Sequence, residues 1–166
     1  MREPVEKLIE QYQKHIFAAA FSVCQNIADA DDIVQDTFLK YHCSKKEFSS
    51  EEHIKAWLLR VAINKAKDRA RCFWNRNTIS IDELIMASPE NESLTLAEQD
   101  ESKQILENVM KLPTKYRIVI HLFYYDDLSV AEIAKVLGLS ESNVKTRLSR
   151  ARNMLKNDIL EVEAYV

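Results

Sequence analysis

Glycine is almost absent from this chain. One glycine, Gly138, and three prolines occur in 166 residues. Tight hairpins and phosphate-binding loops depend on glycine, because their backbones need positive φ angles or a close approach to the ligand. The scarcity excludes a P-loop and a dinucleotide-binding fingerprint, and it argues against a β-rich fold. Apolar residues make up 46% of the chain, so a buried core is expected. The sequence therefore predicts a mostly helical protein.

Apolar residues recur at helical spacing in two separate parts of the chain. The first part holds three such runs, at residues 5–21, 33–41 and 54–62. The pattern fades and resumes beyond residue 99. Residues 77–98 contain Pro89 and several acids, a composition typical of a linker. We predict an all-α protein with two small helical domains. Residues 1–76 would form a three- or four-helix bundle, 77–98 a flexible acidic linker, and 99–166 a domain with a helix-turn-helix.

The net charge of −3 hides a segregation of charge along the sequence. Residues 55–76 hold seven basic side chains and one acid, and residues 135–156 hold six and one. Between them, residues 82–107 hold eight acids and one lysine. Two basic stretches separated by an acidic one suggest two cationic contact surfaces, as in nucleic-acid-binding proteins. Solvated helix faces are the alternative for each stretch taken alone.

The most specific local pattern lies at residues 129–152. Ser129 followed by Glu132 is a capping box, which predicts a helix start. Gly138 can adopt the left-handed conformation of a tight turn, and Val144 would then point into the core. This combination predicts a helix-turn-helix, with an ordinary α-hairpin as the alternative. Its second helix would expose candidate base and phosphate contacts: Lys145, Thr146, Arg147, Ser149 and Arg150.

A second candidate DNA surface lies on the predicted helix at residues 54–76. Four polar side chains fall on one of its faces: Arg60, Asn64, Lys67 and Arg71. An asparagine within a basic face offers both a donor and an acceptor to a base edge. In the preceding loop, Phe48 follows Lys45 and Lys46. An exposed aromatic there could receive an extruded base, and burial of Phe48 in the core is the alternative.

The predicted helix at residues 29–42 begins with acids, and Asp29 is its expected N-cap. Beyond its apolar stripe it exposes Asp32, Gln35, Asp36 and Leu39. Such a face suits a protein partner with basic helices, and a solvated face is the alternative.

Cysteine and histidine spacing predicts neither a metal site nor a disulfide framework. The three cysteines are far apart in sequence, and none of the four histidines stands near them at ligand spacing. The N-terminus lacks a signal-peptide pattern, and the apolar run at residues 16–21 is too short to span a bilayer. We therefore expect a cytoplasmic protein without a cofactor.

Four stretches, taken in order, resemble the small extracytoplasmic-function class of bacterial sigma factors in the sigma-70 family. They are DADDIVQDTFLKYH, HIKAWLLRVAINKAKDRAR, LPTKYRIVIHLFYYDDLSVAEIAKVLGLS and NVKTRLSRAR. The resemblance covers essentially the whole chain outside the linker. It implies that the two helical domains correspond to sigma domains two and four.

The resemblance also implies a function, partners and residue roles. The chain would direct core RNA polymerase to specific promoters and assist promoter opening, without catalysis or a small-molecule substrate of its own. Asp32, Gln35, Asp36 and Leu39 would face the clamp helices of the largest polymerase subunit, while domain four would bind the β-flap. Phe48 and Asn64 would contact the −10 element, and the face from Lys145 to Arg150 the −35 element. An anti-sigma protein is a further expected partner.

Two other hypotheses remain open from the residues. A plain helix-turn-helix repressor or activator would explain residues 129–152 but would leave the two N-terminal polar helices without a role. An enzyme could be imagined around His121 with Asp126 and Asp127, or around Asp31 and Asp32. No nucleophile–base constellation in the sequence favours that hypothesis.

Overall fold

A computed structural model describes residues 2–72 and 96–164 of the chain, with side chains described for residues 2–71 and 103–157. Every regular element within those ranges is helical, which confirms the all-α prediction. The first helical unit consists of α1 (Val5–Cys24), α2 (Ile27–Cys43) and α3 (Glu51–Cys72). Most of the predicted linker, residues 77–95, lies outside the described residues.

The second helical unit begins with α4 (Leu96–Lys111) and α5 (Thr114–Ile120), which continues as a π-helical turn (His121–Tyr125). It ends with α6 (Val130–Leu137) and α7 (Glu141–Ala164). Pro113 precedes α5 as its N-cap, a position where its missing N–H costs no helical hydrogen bond. Within the described ranges, no helix combines the length and apolarity needed to cross a bilayer.

The start of α2 differs from the expectation. Asp29 is not the N-cap, because the helix already begins at Ile27 and Asn26 caps it. The Asn26 side chain accepts a hydrogen bond from the Asp29 backbone N–H at 2.8 Å. The boundary is set by the preceding turn, where Gln25 adopts a left-handed conformation with φ of 52° and ends α1.

Each helical unit has a well-packed apolar core. In the first unit, α1 packs against both α2 and α3, and the side chains of Ile16, Ile33 and Leu58 are fully buried. In the second unit, Ile133 of α6 and Val144 of α7 are fully buried across the turn that joins them. Burial of one such aliphatic side chain stabilises a fold by about 1.5–3 kcal/mol.

The two units also pack on each other and share one continuous buried cluster. The main contacts between them join α1 to α5 and to the π-helical turn, and α3 to α6. Arg117 of α5 is 5% exposed and extends its guanidinium to the C-terminal end of α1, where it donates to the carbonyl oxygens of Ser22 and Val23. It also donates to Leu112 O at 2.8 Å within its own unit. Arg117 therefore links the two units through their backbones.

A second polar contact between the units surrounds Asp126, whose carboxylate is fully buried. His15 Nδ1 of α1 lies 2.8 Å from Asp126 Oδ1. His121 Nε2, in the π-helical turn, lies 3.2 Å from Asp126 Oδ2. Lys55 of α3 donates to the Asp126 backbone carbonyl at 2.9 Å. The carboxylate is therefore enclosed between the two units and closed to solvent.

Candidate nucleic-acid interface

The helix-turn-helix is formed by α6, the turn at Gly138 and the start of α7. The Ser129 hydroxyl accepts from the Glu132 backbone N–H at 3.1 Å, and the Glu132 carboxylate accepts from the Ser129 N–H at 3.1 Å. Gly138 has φ of 68° and ends α6 in the left-handed conformation. The capping box and the glycine turn predicted from the sequence are therefore both confirmed. They orient α7 so that Val144 packs inward.

The outward face of α7 carries the side chains predicted to contact DNA. Lys145, Thr146, Ser149 and Arg150 are exposed, and Arg147 is half-buried. Two of them make local contacts: the Thr146 hydroxyl donates to Ser142 O at 3.0 Å, and Arg147 Nε donates to Asn143 Oδ1 at 3.0 Å. The structure thus brings all five candidates together on the first three turns of one helix.

Arg150 has a partner that the sequence pattern did not indicate. Hydrogen bonding from the Arg150 guanidinium is the main cause that lowers the pKa of the Tyr116 phenol. Tyr116 lies on α5, which packs against α7.

The second polar face runs along α3. Arg60, Asn64 and Arg71 are exposed, and Lys67 is half-buried. Arg71 Nη1 lies 3.8 Å from Asp68 Oδ1, so one acid of the same helix partly neutralises the positive charge at this end of the face. The predicted spacing therefore does place the four side chains along one helix surface.

A surface cleft of 390 Å³ opens beside this face, between the end of α2 and the middle of α3. Its walls consist of four cationic side chains, one amide, one indole, one aliphatic side chain and one carboxylate. The lining residues are Lys40, Lys46, Trp57, Arg60, Val61, Asn64, Lys65 and Asp68. A cleft with cations at its rim and an aromatic wall can accept a planar base together with its phosphate.

Phe48 adopts the buried alternative and is not exposed to receive an extruded base. It is 3% exposed, and its ring centroid lies 5.7 Å from that of Tyr41 and 5.6 Å from that of Trp57. Burial of the ring in this aromatic cluster stabilises the loop, which explains why it points inward. Lys45 and Lys46 of the same loop remain exposed. The half-buried Trp57, rather than Phe48, is the aromatic that lines the cleft.

The acidic face of α2 is present as predicted, and the guanidinium of an arginine from α3 lies beside its carboxylates. Asp32, Gln35 and Leu39 are exposed, and Asp36 is half-buried. Arg69 of α3 reaches across, with Nη1 at 3.3 Å from Asp32 Oδ2 and Nη2 at 3.6 Å from Asp36 Oδ2. Its Nη1 also lies 3.4 Å from Asp29 Oδ1. One guanidinium therefore orders the carboxylates of this face without covering them.

Titratable groups elsewhere do not form a metal centre in the described parts of the chain. Within those parts, no three His, Cys, Asp or Glu side chains are grouped to hold an ion. The His121–Asp126 pair considered for an enzyme lies at the contact between the two helical units. The Asp126 carboxylate there is already engaged by His15.

Family models match both helical units. The model described as Sigma-70 region 2 matches residues 8–76. The model described as Sigma-70, region 4 matches residues 102–155. The first match contains the α3 face and the acidic face of α2, and the second contains the helix-turn-helix.

Curated relatives match nearly the whole chain. The RNA polymerase sigma factor SigV of Bacillus subtilis is 31% identical over 150 residues, covering 89% of this chain and 86% of the relative. The ECF RNA polymerase sigma factor SigW of the same organism is 29% identical over 168 residues, covering 93% and 88%. Among solved structures, CnrH in complex with the cytosolic domain of CnrY superposes with a TM-score of 0.65 at 29% identity, covering 95% of this chain and 88% of that one.

Proposed function

This chain belongs to the ECF class of RNA polymerase sigma factors, which direct core polymerase to specific promoters, and we propose that its two basic helix faces contact two separate elements of one promoter. The observation that carries this proposal is the presence of an exposed cationic face on α3 and another on α7, each in a different helical unit. We take residues 1–76 and 99–166 as the two functional domains.

The α7 face would bind the −35 element as duplex DNA. A helix of this kind fits the major groove, where Lys145 and Arg150 can donate to guanine edges and Thr146 and Ser149 can donate or accept. Arg147, half-buried and tied to Asn143, is better placed for a backbone phosphate.

The α3 face and its cleft would bind the −10 element once its strands separate. Asn64 and Arg60 stand at the cleft, and Trp57 offers a ring on which an unpaired base can stack. Lys45, Lys46, Lys67 and Arg71 would bind the phosphates around it. Phe48 would support the cleft from within the aromatic cluster. Taking a base out of the duplex stack costs a few kcal/mol. Stacking of that base on an aromatic side chain contributes about 1–3 kcal/mol, which offsets most of the cost.

The acidic face of α2 would dock on the polymerase. Asp32 and Asp36 retain 62% and 46% of their side-chain surface, so both carboxylates can accept hydrogen bonds from a basic helix. Leu39, 60% exposed, supplies an apolar contact at the centre of such an interface. We assign this face to the clamp helices of the largest subunit and the second domain to the β-flap.

Regulation and location follow from the same assignment. CnrH was solved with the cytosolic domain of CnrY, and a sigma factor RpoE from Bartonella quintana was solved with the anti-sigma factor NepR. An anti-sigma protein is therefore expected to bind this chain as well. The chain would act in the cytoplasm beside the polymerase, without a cofactor and without catalysis of its own.

The test separates the two DNA contacts. Holoenzyme assembled from core polymerase and the chain is bound to a cognate promoter, and unpaired thymines are detected with permanganate. Asn64→Ala should reduce opening while protection of the −35 element from nuclease persists. Lys145→Ala should weaken −35 protection at the outset, cost about 1–3 kcal/mol of binding and relax the sequence preference at the base that Lys145 contacts. Lys156→Ala, an exposed cation near the far end of α7, is the matched control.

The outcomes are distinct. Equal loss of both signals in the two variants would contradict a division of labour between α3 and α7.

A second assay addresses docking: Asp32→Asn combined with Asp36→Asn should weaken retention on immobilised core polymerase, whereas Asp127→Asn, an exposed acid of the second unit, should not.

A further inference from the structure

Residues 2–4, which precede α1, pack against the end of α2 through the side chain of Arg2. Arg2 Nη2 donates to Tyr41 O at 2.8 Å and to His42 O at 3.2 Å. Arg2 Nη1 donates to Lys46 O at 3.3 Å, in the loop that joins α2 to α3. One guanidinium therefore connects the last turn of α2 to the backbone of this loop.

The way in which α2 ends explains why a guanidinium fits there. Many helices end in a left-handed residue whose turn supplies N–H donors to the last carbonyls. Here the C-cap Ser44 is extended, with φ of −74° and ψ of 143°, and its N–H is directed to Lys40 O and Tyr41 O. The end of a helix also carries partial negative charge, which a cation complements. Arg2 thus caps α2 from a segment about 40 positions away in the sequence.

The Tyr41 side chain holds Arg2 from a second direction. The Arg2 guanidinium carbon lies 4.8 Å from the centre of the Tyr41 ring, as in a cation–π contact. The Tyr41 hydroxyl donates to Glu3 O at 2.7 Å, which fixes the same short segment. The ring is 1% exposed and packs on Phe48 and Trp57, with 5.7 and 6.1 Å between centroids. Arg2 therefore contacts the aromatic cluster beneath the cleft.

Lys46 is the residue through which Arg2 reaches the cleft itself. Its carbonyl accepts from Arg2, and its N–H donates to the Ser44 hydroxyl at 3.1 Å. Its side chain lines the cleft, with the ammonium 5.8 Å from the centre of the Phe48 ring. The loop at residues 44–50 has no regular secondary structure, so side-chain contacts of this kind fix its backbone. The backbone position at Lys46 in turn determines where the ammonium lies.

We propose that Arg2 is a positioning residue for the −10 cleft. By holding the Lys46 carbonyl against the end of α2, it places the Lys46 ammonium where that group can bind the phosphate of an unpaired −10 nucleotide. Arg2 does not touch the nucleotide, and its effect passes through Lys46. A loop that is ordered in advance loses less conformational freedom when DNA binds. This inference rests on the proposed function.

The first test is a double-mutant cycle in holoenzyme on a cognate promoter, with opening detected by permanganate. Lys46→Ala and Arg2→Ala should each reduce opening by about fivefold, the loss expected from one hydrogen bond, while protection of the −35 element persists. Combining them should reduce opening no further, because both remove the same contact. Lys111→Ala, an exposed cation at the end of α4, is the matched control and should open the promoter like the parent.

A conservative variant separates positioning from charge. Arg2→Lys keeps the positive charge but replaces the guanidinium fork by one nitrogen, which cannot serve all three carbonyls. It should therefore reduce opening as Arg2→Ala does. Opening like that of the parent in Arg2→Lys, or losses that multiply when Arg2→Ala and Lys46→Ala are combined, would overturn the proposal.

Hydrogen exchange of the free, full chain distinguishes this proposal from the proposed function. Amides of residues 44–50 should exchange faster in Arg2→Ala and Arg2→Lys than in the parent and Lys111→Ala, while helical circular dichroism stays native. Unchanged exchange in this loop would overturn the positioning role of Arg2. A parent protein that opens no promoter, although its loop responds to the Arg2 variants, would overturn the proposed function and leave the hold of Arg2 on the loop standing.

Discussion

The turn at Gly138 allows a stability prediction with a worked magnitude. Gly138 has φ of +68°, and a Cβ built at this position meets no atom within 4 Å. Gly138→Ala therefore introduces backbone strain without a steric clash. The left-handed conformation costs a non-glycine residue about 1–2 kcal/mol. The lower entropy of the unfolded alanine chain offsets about 0.4–1 kcal/mol of that cost.

Gly138→Ala should therefore lower the free energy of unfolding by about 1 kcal/mol. For a chain of this size, that change lowers the Tm by about 2–4 °C. Gly138→Asn should lose less, because asparagine tolerates this conformation better than alanine. Thermal unfolding followed by circular dichroism measures both. Ser142→Ala, an exposed position in the first turn of α7, is the control and should stay close to the parent.

Two results would refute this reasoning. A decrease of more than about 3 kcal/mol in the free energy of unfolding of Gly138→Ala would mean that the turn contains a close contact that the structure does not show. A gain in stability would mean that the turn is not left-handed, since alanine is stabilising only where it adopts the native conformation without strain.

Three further predictions concern single side chains. Ser129→Ala removes the α6 cap and should lower the free energy of unfolding by about 1 kcal/mol in denaturant titration; no change would contradict the capping box. Arg69→Ala removes the cation shared by the acids of α2 and should lower the free energy of unfolding by no more than about 1 kcal/mol. This decrease should become smaller in high salt, and a decrease that does not depend on salt would indicate lost packing instead. Burial raises the pKa of the Cys24 thiol, so at pH 8 iodoacetamide should modify the exposed Cys43 first; peptide mass spectrometry showing equal rates would contradict the burial of Cys24.

The features predicted correctly from sequence are set by neighbours along the chain. The capping box joins Ser129 to a residue three positions away, and Gly138 ends its own helix. The periodicity that placed Val144 inside and Lys145 outside is likewise a property of a single helix. Such signals are readable because the physical cause lies within a few residues.

The features that sequence analysis missed depend on contacts between distant segments. Arg117 meets Ser22 across 95 positions, and His15 meets Asp126 across 111. Neither pair leaves a spacing pattern. Phe48 was ambiguous because the loop composition allows either orientation, and the aromatic neighbours that bury it come from two helices. The charge of Arg117 in the middle of an apolar run was an available signal, since a buried cation needs a partner.

We propose that both basic faces select one promoter while the chain is bound to polymerase. Transcription by core polymerase from a library with randomised upstream sequence, with and without the chain, tests this most directly. We predict that the chain enriches templates carrying two motifs at a fixed spacing, and that Lys145→Ala and Asn64→Ala relax the upstream and downstream motif, respectively. Transcripts drawn from the same templates whether or not the chain is present would contradict the account.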